Sequence, residues 1–140
     1  MLDRAAIEAI IPHRSPFLLL DRVNAMEPGV SATAELDVTA DMFWVPGHFP
    51  EYPVMPGVLI VEAMAQTGAV ALLSLPENVG KLAFFAGIDK VRFKRQVVPG
   101  DTLTFSITIT KARGAIGFGE ATATVGGQLA CSGTLMFAIQ

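Results

Sequence analysis

The sequence predicts an α+β domain in which one long helix is wrapped by antiparallel strands. Three observations predict it. Residues 58–75 are almost entirely apolar or small and are stopped by Pro76, the pattern of a helix buried on all sides. Residues 30–39 and 102–111 alternate apolar and polar side chains with period two, the pattern of half-buried strands. The elements run strand, strand, helix and then four strands, which suits a single sheet curled around one helix.

Taken in order, residues 2–10 read as a short N-terminal helix, with Asp3 near its start and Ile7 and Ile10 spaced for one face. Residues 12–16, PHRSP, form a loop in which His13 reads as structural. Phe17 to Glu27 is a first strand centred on Leu18, Leu19 and Leu20, ended by the Pro28-Gly29 turn. In the second strand Val30, Ala32, Ala34, Leu36 and Val38 share the buried face. Phe43 and Trp44 read as core, with a pocket lining as the alternative. After the long helix, residues 76–80 form a loop. Leu82 to Val98 is a strand bent at Gly87, and residues 99–101 turn the chain. Thr102 to Lys111 buries Leu103, Phe105, Ile107 and Ile109. Ala115 to Val125 and Gln128 to Ile139 form a hairpin around Gly126-Gly127, with Cys131 as a small core residue.

One domain, residues 1–140, is expected from this length. Hydrophobic residues make up 51% and charged residues 16%, which excludes disorder and implies apolar surface hidden between subunits. Cys131 is the only cysteine, so neither an intrachain disulfide nor a CxxC metal site can form. No HxxxH or carboxylate cluster is present, and no metal or cofactor is expected. Met1 to Ile10 has no long apolar run, so no signal peptide is read and the setting expected is the cytoplasm. Residues 58–75 approach the length of a membrane span. Glu62, Gln66, Thr67 and Ser74 interrupt them, basic flanks are lacking, and no span is expected.

The chemistry-bearing stretch is Pro46 to Gln66, PGHFPEYPVMPGVLIVEAMAQ. It carries His48 and a lone carboxylate, Glu62, inside the apolar run. A carboxylate in an apolar helix is costly unless paired or used, and burial raises its pKa toward the range of a general acid. Histidine is the side chain best suited to take a proton at neutral pH. Pro56-Gly57 starts the helix, and the free N–H groups of Gly57 and Val58 suit a developing oxyanion. Gln66 lies four residues past Glu62, on the same face. The same residues also fit a blander reading, a core Glu tied to the backbone and a His capping a loop. Elsewhere, Lys90, Arg92 and Lys94 share a strand face, with Arg95 beside them, although the net charge is −3. An acidic chain with no stacking motif makes nucleic acid a poor partner.

GHFPEYPVMPGVLIVEAMAQ resembles the signature of the (3R)-3-hydroxyacyl-acyl carrier protein dehydratases of type II fatty-acid synthesis. PHRSPFLLLDRV (12–23) and FAGIDKVRFKRQVVPGD (85–101) resemble that family's other two signatures. The resemblance implies a hot-dog fold, one long central helix wrapped by a curled six-stranded antiparallel sheet. It implies His48 and Glu62 as the catalytic pair, shared across a homodimer, with three such dimers associating. It implies dehydration of a 3-hydroxyacyl chain on acyl carrier protein to the trans-2-enoyl product, and a docking role for Lys90, Arg92, Lys94 and Arg95. Phe84 and Phe85 fall where the family often has Tyr beside an acyl tunnel. Glu62 favours the plain dehydratase over the dehydratase-isomerases, which have Asp there. Two alternatives stand beside this reading, a hot-dog acyl thioesterase and a non-catalytic acyl-binding or regulatory module.

Overall fold

The computed structural model describes all 140 residues. Asp3 caps the first helix, α1 (Arg4–Glu8), by accepting a hydrogen bond from the Ala6 N–H at 2.9 Å. Strands β1 (Arg22–Glu27) and β2 (Ser31–Asp37) precede the long helix α2 (Gly57–Leu73). A 3-10 turn (Pro76–Asn78) follows, then β3 (Ala83–Phe93), β4 (Thr102–Arg113), β5 (Ile116–Val125) and β6 (Gln128–Ile139). All pairings are antiparallel, and the six strands lie in the order β1-β2-β4-β5-β6-β3.

The sheet curls around α2, which touches all six strands. The alternation in the sequence decides which faces look inward. Ala32, Ala34 and Leu36 of β2 and Leu103, Phe105 and Ile107 of β4 are buried against the helix. Val30, at the preceding turn, is exposed instead. Small residues on α2 let the sheet come close. A Cβ on Gly68 would stand 2.6 Å from Cζ of Phe137 and 2.8 Å from Cδ1 of Ile107, so any side chain there would push the sheet away. Two hydroxyls are satisfied by α2's own carbonyls, Thr67 donating to Ala63 O at 2.9 Å and Ser74, just past the helix end, to Val70 O at 2.6 Å. Gly126 and Gly127, at φ 54° and 82°, make the two-residue hairpin turn expected between β5 and β6. Cys131 is buried, and burial pushes its thiol up to about 11.

The expected elements differ from the fold in three places. Strand β1 begins at Arg22, not Phe17. The N–H groups of Phe17 and Leu18 turn back to Arg14 O, and that of Leu19 is taken by Gln66 Oε1, so the apolar triplet is buried without joining the sheet. Strand β3 ends at Phe93, not Val98. The bend expected at Gly87 is present as a register shift between Phe85 and Gly87. A second shift falls between Asp89 and Arg92, where Lys90 has φ 54°. Phe43 is half exposed, and only Trp44 of that pair enters the core. No helix is long and apolar enough to cross a membrane.

Candidate active site

Four prolines keep residues 46–56 irregular, and backbone hydrogen bonds hold them in place. His48 N donates to Trp44 O at 3.0 Å, Val54 N to His48 O at 2.8 Å, and Met55 N to Val97 O at 2.8 Å. The His48 ring is fixed as well. Its Nδ1 lies 2.7 Å from Val54 O. A carbonyl has no proton to give, so Nδ1 carries the hydrogen and Nε2 keeps its basic lone pair. The ring also stacks on Phe49 at 4.2 Å between centroids.

Pro56 leads directly into α2, and no side chain caps the helix. The N–H groups of Gly57 and Val58 have no partner within the chain. Both residues line the cavity that holds His48, about 530 Å³ in volume. A free base and two free donors at a helix start therefore border one space, the combination that enolate chemistry requires. Gly57 is confined by Phe93, since a Cβ there would meet Cε1 of that ring at 2.6 Å.

Glu62 lies one turn further along α2 and opens into different space. With Phe17, Phe85 and Ile88 it lines an apolar cleft of about 450 Å³. With His13, Phe84 and Phe85 it lines a smaller cavity of about 250 Å³. Its side chain is 20% exposed. Gln66 Nε2 donates to Glu62 Oε2 at 3.0 Å, the contact their spacing of four predicts. Gln66 is itself locked, accepting from Leu19 N and donating to Phe17 O, both at 2.8 Å.

Within one chain, His48 and Glu62 do not share a cavity. Val58 and Phe93 stand between the space of one and the cleft of the other. The imidazole beside Glu62 is that of His13, with Nε2 at 3.6 Å from Oε2. Desolvation lowers the pKa of His13, against an upward pull from Glu62, and Arg14 adds a further push down.

The basic stripe is not one face. The bulge at Lys90 breaks the alternation, and Lys94 lies beyond the end of β3. Lys90 lines a hydroxyl-rich groove with Thr108, Thr122 and Ser132, whereas Lys94 and Arg95 border the His48 cavity. Arg92 is exposed, and Arg95 reaches Asp101 at 3.5 Å. Phe84 is partly exposed, and Phe85 stacks on Phe137 at 6.2 Å. Two residues of this region escape sequence reasoning. Nothing in the spacing ties His13 to Glu62. Phe93 is visible only through the glycine that its ring requires at position 57.

Comparisons with known proteins bear on the family and on the fold. The model of the FabA-like domain matches residues 11–134. The 3-hydroxyacyl-[acyl-carrier-protein] dehydratase FabZ of Staphylococcus aureus, strains JH9 and Newman among others, is 61% identical over 140 residues, covering 100% of this chain and 96% of the relative. Among solved structures, the dehydratase heterocomplex ApeI:P from Xenorhabdus doucetiae is similar at TM-score 0.83 and 19% identity, over 96% of this chain and 90% of that one. The uncharacterized protein PH1136 from Pyrococcus horikoshii is similar at TM-score 0.73 and 16% identity, over 95% and 92%. These two likenesses are of fold, and they match the sheet wrapped around α2. With a family model over most of its length and a relative at 61% identity end to end, this chain belongs to the FabA-like family.

Proposed function

We propose that this chain removes water from a (3R)-3-hydroxyacyl thioester on acyl carrier protein, giving the trans-2-enoyl thioester of fatty-acid biosynthesis. The observation that carries the reading is the full-length identity to FabZ, with GHFP and PGVLIVEAMAQ intact at the site.

The thioester carbonyl acidifies the neighbouring α C–H. Nε2 of His48 takes that proton, and the electron pair moves toward the carbonyl oxygen. The unpartnered N–H of Gly57, with Val58 beside it, stabilises the oxyanion at the positive end of α2. As the pair returns to form the Cα–Cβ double bond, the C–O bond to the hydroxyl breaks. Hydroxide is a poor leaving group, so Glu62 supplies a proton and water departs. Solvent then returns a proton to Glu62 and removes one from His48.

The base of one subunit and the acid of another complete each site. Support comes from the separation of the two residues within a chain and from the apolar surface between them. Val58 is 75% exposed and Phe93 54% exposed, too much apolar area for a helix start to leave in water. A two-fold pairing over that surface gives two sites per dimer. Three dimers form the larger assembly, with a solution mass six times the 14.8 kDa of one chain. Lys94 and Arg95, with Arg92, form the docking rim for the acidic carrier, and Phe84 and Phe85 line the acyl path. The enzyme works in the cytoplasm.

Mass spectrometry of 3-hydroxyacyl-carrier protein incubated with this chain tests the reading. Loss of one water supports the dehydratase. Release of free acid would instead make it a thioesterase, and an unchanged substrate would make it a binding module.

A further inference from the structure

We propose that His13 is a positioning residue for Glu62: its Nε2–H and the Gln66 amide together hold carboxylate oxygen Oε2, so that Oε1 is the oxygen that gives its proton to the departing hydroxyl. This rests on the dehydratase reading above.

The two oxygens of Glu62 are in unequal surroundings. Oε2 accepts from Gln66 Nε2 at 3.0 Å and has His13 Nε2 at 3.6 Å. Oε1 makes no hydrogen bond within the chain. Donors favour the charged state of the oxygen they point at, so a proton on this carboxyl belongs on Oε1. The syringe-like reach of a free side chain is also removed, because Gln66 is anchored at both ends by the backbone of the loop after His13.

The tautomer of His13 follows from burial. Nδ1 is buried and has no partner. If Nδ1 carried the hydrogen, a donor would be buried unsatisfied while a lone pair on Nε2 faced a carboxylate. If Nε2 carries it, the hydrogen points at Oε2 and only a lone pair goes unmatched, which is the lesser cost. Desolvation favours the neutral ring, so His13 acts as a donor dipole. The distance of 3.6 Å exceeds a full hydrogen bond. Catalytic contacts are commonly long in the empty enzyme and tighten when substrate arrives. His13 and Glu62 line one cavity with Phe84 and Phe85, so a chain entering that cavity would lie against the pair. Neither ring nitrogen of His13 bonds to the backbone, and Nε2 faces Glu62.

The test compares His13→Gln, which keeps an N–H near the Nε2 position, with His13→Leu, which fills the space without a donor. The expected result is a kcat for the Leu variant at least about tenfold below wild type, with KM within about twofold, and recovery by Gln to within about threefold of wild type. A Leu variant with wild-type kcat, or equal losses in both variants, would overturn the role. A reading on the unaltered protein does not depend on any variant folding: ¹⁵N NMR at neutral pH should show His13 with hydrogen on Nε2 and none on Nδ1. The opposite tautomer would overturn the proposal. Water loss by the wild-type protein is measured first. Its absence removes the dehydratase reading, whereas its presence with these kinetics failing removes only the role of His13.

Discussion

Nδ1 of His48 donates to the carbonyl oxygen of Val54 at 2.7 Å, and this one contact leaves Nε2 with the ring's basic lone pair. The ring so fixed lines the cavity bordered by Gly57 and Val58. His48→Ala should therefore lower turnover by about 10²–10⁴-fold, the usual worth of a general base, with no change in fold by circular dichroism. Retention of more than about a tenth of wild-type turnover would remove His48 from this role.

Gly57 and Phe93 are matched in shape. Gly57→Ala forces the ring from its place, since the new Cβ would stand 2.6 Å from Cε1. Overpacking of this kind costs about 1–3 kcal/mol, and it also disturbs the donors beside the base. Denaturant melts should show that loss, with most of it recovered when Phe93→Leu is added. Unchanged stability in the single variant would mean that the ring is free to move.

The basic residues should divide by position. Reversing Lys94 and Arg95 to Glu should raise KM for carrier-bound substrate and leave a short thioester mimic unaffected. The effect should be larger at low salt, because exposed charges are screened beyond ~10 Å at 0.1 M. Lys90→Glu should change neither KM, since Lys90 lines the hydroxyl-rich groove away from the His48 cavity. Equal effects of all reversals on both substrates would rule out a docking rim at the cavity.

Arg22 makes the fold sensitive to acid. It donates to Glu35 at 2.7 Å and to Asp37 at 2.9 Å, and these bonds hold both carboxyls below their ordinary values of 4.5 and 3.8. A carboxylate with a depressed folded pKa stabilises the fold above its unfolded value, and that contribution is lost as pH falls through the folded value. Wild-type Tm should therefore fall as pH drops below about 4.5. Arg22→Leu should start lower at neutral pH and fall less over the same window. The difference is modest, because Asp37 is 48% exposed and solvent screens the pair. Parallel curves would show that the network adds nothing.

Local rules made much of this molecule legible in its sequence. Period two marked β2 and β4, an uninterrupted apolar run marked α2, and paired glycines marked the last hairpin. All of these depend on near neighbours in the chain. What stayed hidden depends on distant ones. Leu18 to Leu20 look like a strand, but the N–H of Leu18 turns back to Arg14 O and that of Leu19 goes to the Gln66 side chain, which no local pattern reveals. The bulge at Lys90 divides a stripe of charge that looks continuous on paper. The motif suggested His48 and Glu62 as a pair, whereas the imidazole beside Glu62 within the chain is that of His13, from a loop before β1.

The central claim is that each site takes its base from one subunit and its acid from another, and subunit complementation tests it most directly. Inactive His48→Ala and inactive Glu62→Gln are mixed in equal amounts under conditions in which exchange is verified. A shared site predicts recovery of about a quarter of wild-type activity, since half the dimers are mixed and each of those has one intact site. A pair confined to one chain leaves a defect in every site, so verified exchange with no recovered activity would contradict the account.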